Sequence, residues 1–103
     1  GEPLSVKASY EIGKKGQLTG NLVLEIYNHG KNPVRVHAVD NAYSTWKKSS
    51  VLAEGMSIKW IVESHKIHGW YDVTVHAADT KFVREFAGRV ETGSHSKTDP
   101  QLG

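Results

Sequence analysis

Apolar and polar residues alternate with a period of two along most of this chain, the spacing of strands with one buried face. Leu4, Val6, Ala8, Tyr10 and Ile12 open the pattern. Gly13-Lys14-Lys15-Gly16 reads as a turn, with glycines at both ends able to take positive φ. From Leu18 to Tyr27, Leu22, Leu24 and Ile26 share one face, with Asn21, Val23, Glu25 and Tyr27 opposite. Asn28-His29-Gly30-Lys31-Asn32-Pro33 is a strong turn signal. It leads into a third strand with Val34, Val36 and Ala38 on one side and Arg35 and His37 on the other. Asp40 to Ser50 is polar and irregular, and predicts a connection with a short edge strand near Val51-Leu52. After Glu54-Gly55, residues Met56, Ile58, Trp60 and Val62 form the next apolar face. Ser64 to Gly69 is a connection. Tyr71, Val73, Val75 and Ala77 then alternate with Asp72, Thr74 and His76. Beyond a turn at Ala78-Asp79-Thr80-Lys81, the last strand runs Phe82 to Val90. Arg84 shares the parity of Phe82, Phe86 and Val90, which predicts a bulge or an arginine at the sheet rim.

No segment carries a 3.6-residue apolar period. About seven short strands with a turn every eight to twelve residues predict an all-β fold, an immunoglobulin-like antiparallel β-sandwich of two sheets. The expected domain is 1–92, followed by a polar tail or linker at 93–103.

Composition narrows the chemistry. The chain has 103 residues and no cysteine, so thiol nucleophiles, disulfide scaffolds and cysteine zinc sites are excluded. A net charge of +2 is too weak to predict nucleic-acid binding. The chain opens Gly-Glu-Pro, without an initiator methionine, and is expected to be a piece of a longer protein. No Gly-x-Ser-x-Gly motif, P-loop, zincin motif or EF-hand ladder is present. Carboxylates such as Glu85 and Glu91 can be paired on paper, but nothing orients them on a substrate.

His68-Gly69-Trp70-Tyr71-Asp72 is the densest cluster of functional side chains. Tyr71 and Asp72 are neighbours in a strand and must face opposite ways, so the cluster does not form one pocket. A structural corner fits better. In immunoglobulin-type sandwiches a tyrosine at the start of the sixth strand bonds upstream backbone, and Gly69 would supply the tight approach for Tyr71. His65 and His68 are three apart, and His37, His76, Asp40 and Asp79 could add ligands. Exposed histidines on outward strand positions are the expectation, with no metal site. Trp46-Lys47-Lys48 is the candidate lipid interface: an amphipathic ring beside two cations suits the headgroup region. The competing expectation is that Trp46 folds back as a lid on the sandwich.

The run GWYDVTV at 69–75, then FVREFAGRVETG at 82–93, then Ser96 and Asp99-Pro100, resembles the C-terminal domain of bacterial phospholipase C of the phosphocholine-preferring type. Asn28-His29-Gly30, Glu54-Gly55 and Trp60 suit it as well, and the likeness covers roughly residues 4–100. The resemblance implies a secreted or periplasmic enzyme in which a separate N-terminal domain cleaves the phosphodiester of phosphatidylcholine or sphingomyelin. It places no catalytic residue and no cofactor on these positions. It implies as partners that catalytic domain, a second copy of this domain and a phospholipid surface. The expected function is a non-catalytic accessory domain. A structural spacer is the alternative, and a sugar-binding module with Trp46 and Tyr43 as platform is a weaker one.

Overall fold

The computed structural model describes residues 2–93, and residues 94–103 of the expected tail lie outside them. Seven strands carry the alternation: β1 (Leu4–Ile12), β2 (Leu18–Asn28), β3 (Val34–Asp40), β4 (Lys47–Leu52), β5 (Ser57–Val62), β6 (Trp70–Ala77) and β7 (Val83–Arg89). A 3₁₀ turn, Ser64–Ile67, joins β5 to β6. The strands form two antiparallel sheets, β1-β2-β5 and β4-β3-β6-β7. In the constant immunoglobulin order the fourth strand joins the first sheet; here it stays beside the third.

The period-two pattern explains the core. Leu22, Leu24 and Ile26 face inward from β2, the central strand of the smaller sheet, and meet Val36, Ala38, Val73 and Val75 from the larger one. Trp60 and Val62 from β5 and Leu52 from β4 complete the layer. Each fully buried aliphatic contributes about 1.5–3 kcal/mol, so this layer is the main source of stability.

Several details depart from the pattern. The fourth strand begins at Lys47, not near Val51, because β3 offers a continuous ladder from Val34↔Leu52 to Val39↔Lys47. Lys-Lys-Ser-Ser has no β signature of its own, but lysines suit a sheet edge that must not recruit another chain. The last strand is Val83–Arg89, with Phe82 and Val90 buried just outside it. Its register with β6 is unbroken, so Arg84 is the rim arginine: it pairs with Glu2 and lies 4.4 Å over the Phe82 ring. The bulge falls in β1, between Tyr10 and Ile12. Met56 precedes β5 and is exposed, and in the first turn only Gly16 has a positive φ, +82°.

Candidate functional site

Gly69 and Tyr71 lie where the 3₁₀ turn enters β6. Gly69 has φ +90°, and a Cβ there would sit 2.3 Å from the Val90 carbonyl oxygen. Its own carbonyl accepts from the Val90 N–H at 2.9 Å, and its N–H donates to the Ser64 carbonyl at 2.8 Å. Tyr71 turns inward against the core, with its hydroxyl over Gly88, where a side chain would collide at 2.8 Å. The hydroxyl meets Tyr10 in the facing sheet instead of the upstream backbone expected from sequence. Burial, with the Tyr10 charge and hydrogen bond adding to it, raises its pKa. Tyr10 in turn donates to the Arg89 carbonyl at 3.4 Å. The tyrosine therefore closes the seam between two edge strands, β1 and β7. Gly88 was the available sequence signal for that seam.

Asp72 faces the other way, accepting from Asn41 Nδ2 at 3.1 Å. Its hydrogen bond and charge raise the pKa of exposed Glu85 on β7. Glu91, the other carboxylate considered, lies 3.9 Å from Arg89. Trp70 shares the Asp72 face. The Arg89 guanidinium lies 5.9 Å from its ring centre, and its buried indole N–H has no hydrogen-bond partner.

Strand alternation also divides the lipid-interface candidates. Trp46 packs on the core and its Nε1 donates to the Ile61 carbonyl at 2.9 Å, bridging the β4–β5 seam. Lys48 lies on the same side, close enough to help lower the Glu63 pKa, which the Lys66 hydrogen bond and charge dominate. Lys47 projects from the opposite face, opposite Val39. Both lysines are exposed. The three residues are adjacent in sequence but offer two exposed cations and a half-buried ring.

The histidines fall into separate groups. His37 and His76 are cross-strand partners on the outer face of the larger sheet, stacked with ring centres 5.0 Å apart. His65 and His68 sit at and just after the 3₁₀ turn. Asp40 caps its own loop, accepting from the Ala42 and Tyr43 N–H groups at 3.0 Å each. Among the described residues, no three histidines or carboxylates converge to hold a metal.

One arrangement escaped sequence reasoning. The 3₁₀ turn, the start of β2 and the end of β7 enclose a polar cleft of about 260 Å³ lined by Thr19, His65, His68, Arg89 and Thr92, with Gly20 and Gly69 in its wall. Buried Ser64 holds the turn in place, donating to the Gly20 carbonyl at 2.7 Å and accepting from the Leu22 N–H at 3.1 Å. The nearest signal was the run of three polar residues from Ser64 to Lys66, which reads only as a connection.

The architecture defines a small β-sandwich domain with its core closed between two sheets and no helix long and apolar enough to cross a membrane among the described residues. The model of the bacterial phospholipase C C-terminal domain matches residues 4–89, and the chain belongs to that family. It is 36% identical over 98 residues to a hemolytic phospholipase C of Pseudomonas aeruginosa, covering 89% of this chain and 13% of the relative. A non-hemolytic phospholipase C of the same organism is 35% identical, covering 84% of this chain and 13% of the relative. A non-hemolytic phospholipase C of Burkholderia pseudomallei is 39% identical, with 81% and 12% covered. The chain thus corresponds to a small part of much longer enzymes.

Proposed function

We propose that this chain is a non-catalytic accessory domain of an exported bacterial phospholipase C, helping to hold a separate catalytic domain at a phospholipid surface. The observation that carries the reading is family membership over residues 4–89, joined to a span of only 13% of the Pseudomonas relatives named phospholipase C. Hydrolysis of the phosphodiester of phosphatidylcholine or sphingomyelin falls to the catalytic domain in this reading. Partners are that domain, a second copy of this one and the lipid itself.

The side chains favour attraction by charge over insertion. Trp46 is tied into the β4–β5 seam, while Lys47 and Lys48 are exposed. A lysine near an anionic surface contributes about 1 kcal/mol. The test is co-sedimentation of the chain with anionic and with phosphatidylcholine vesicles. Lys47→Glu with Lys48→Gln should weaken binding to anionic vesicles at least about thirtyfold at low salt and leave the melting temperature unchanged. Trp46→Ala should lower the melting temperature through loss of the Ile61 bond. Absence of vesicle binding at low salt would remove the surface role. It would leave the spacer reading, which the engagement of Trp46 in the seam already favours.

A further inference from the structure

We propose that His37 and His76 form a two-histidine site for a divalent transition metal, copper foremost, on the outer face of the larger sheet. The two residues are register partners on β3 and β6, the inner strands of that sheet. Their chain neighbours Val36, Ala38, Val75 and Ala77 are core residues, so alternation turns both histidines to the opposite face. The rings are stacked, with centres 5.0 Å apart and planes 23° from parallel. Both are half-buried, and each strand is paired along both edges, which fixes the spacing from which the two side chains project.

The ring nitrogens are uncommitted. Among the described residues, neither His37 nor His76 has a side-chain hydrogen bond or ion pair, and each has the other's ring as its neighbour. His29 and His65 differ: His29 Nε2 lies 2.9 Å from Ser5 Oγ, and His65 Nδ1 lies 2.6 Å from Asn21 Oδ1. A neutral imidazole carries one lone pair, and where no hydrogen bond dictates the tautomer either nitrogen can present it. Metal–nitrogen bonds of about 2.0–2.1 Å place two imidazoles on adjacent positions of one ion with ring centres roughly 4.5–5 Å apart. The 5.0 Å separation of His37 and His76 falls there. What the stacked pair lacks is direction, since each lone pair must swing toward a shared point. That takes rotation of the rings, chiefly about χ2, a torsion with a broad well, and leaves the ladder intact.

The same register defines what surrounds the pair. Ser49 lies beside His37 on β4 and Val83 beside His76 on β7, so neither flank of the row is a carboxylate. Among the strand residues of this face the nearest carboxylate is Glu85, opposite Thr74 and one row along. It is engaged with Asp72, whose hydrogen bond and charge raise its pKa. Arg35, two residues before His37 on the same face, adds a fixed positive charge that disfavours any cation without affinity for imidazole. Two nitrogens and no carboxylate select against magnesium and calcium, which take oxygen ligands. They favour copper(II) over nickel and zinc, the order that nitrogen sites follow among divalent metals. With two protein ligands, not the three or four of a zinc centre, the ion keeps positions open to water. The site does not rest on the accessory-domain reading, which uses none of its residues.

The experiment is a titration of the chain, free of any histidine affinity tag, with copper(II), nickel, zinc and magnesium chlorides, followed by calorimetry and by amide NMR. One copper per chain is expected, bound at least about tenfold tighter than nickel or zinc, with no response to magnesium. Paramagnetic broadening at substoichiometric copper should centre on His37 and His76 and reach Ser49 and Val83. His37→Asn and His76→Asn should each weaken copper at least about tenfold, because one arm of the chelate is gone. His29→Gln should leave the affinity unchanged. Saturating nickel should raise the melting temperature of the wild type and not that of His76→Asn. The amide spectra of the variants report whether the fold is kept. Broadening centred on another histidine, equal copper affinity in wild type and both asparagine variants, or the same loss of affinity in His29→Gln would overturn the proposal.

Discussion

Asn28 and Ser64 are the two fully buried polar side chains among the described residues, and they stand at opposite ends of the sandwich. Asn28 donates from Nδ2 to the Asn32 and Leu52 carbonyls, both at 2.9 Å, and accepts from the Gly30 N–H at Oδ1. Its backbone also bonds Met56 and Gly55. One residue thus knits the β2–β3 turn to the β4–β5 turn across the two sheets. Ser64 does similar work at the other end with a single hydroxyl. The turn it fixes carries His65, with His68 just after it, to a cleft that Arg89 at the end of β7 also lines. In both places a buried polar group holds a turn in shape by bonding backbone that no strand partner reaches. What differs is the side chains carried by the segment it anchors.

The most severe change is expected at the corner. Gly69→Ala combines a left-handed φ, costing an L residue about 1–2 kcal/mol, with a collision against the Val90 backbone, and should cost about 4 kcal/mol or prevent folding. Asn28→Ala should follow at about 3 kcal/mol by urea denaturation, because it strands the Leu52 carbonyl and the Gly30 N–H in the interior. Ser64→Ala should cost about 2 kcal/mol, and unlike Asn28→Ala it should shift the His65 and Gly20 amides in the native spectrum. Equal costs at the two ends, or a Ser64→Ala spectrum unchanged in the cleft, would break the comparison.

The smallest effect is expected from Tyr71→Phe, about 1 kcal/mol near neutral pH, from loss of the Tyr10 bond. Its pH dependence is the sharper readout. The folded protein holds the Tyr71 proton more tightly than the unfolded chain does, so this stabilisation is complete below the unfolded tyrosine pKa and declines as pH rises through the folded one. Wild type should lose stability in the alkaline range faster than Tyr71→Phe. Parallel curves would show that the hydroxyl contributes nothing specific to the seam.

The alternation of apolar residues was enough to place most strands, since a period of two is a local property that burial on one face imposes. β1, β2, β3 and β6 were legible for that reason, as was the opposition of Tyr71 and Asp72. The Lys47–Leu52 strand was not, because its polar residues acquire β structure only from the ladder that β3 provides. Trp46-Lys47-Lys48 read as one patch while it was taken for a loop, and became two faces once the ladder formed.

The sequence by itself determined the sandwich, its turns and, through GWYDVTV and FAGRVETG, its family. Those follow from local periodicity and from motifs contiguous in the chain. The tertiary structure alone decided that Asn21, 44 residues before His65, orients its ring. It also decided that Arg89 meets His68 and that Tyr71 meets Tyr10. Contacts between residues so far apart are set by which strands pair and which edges face each other, and no periodicity along a single strand encodes that.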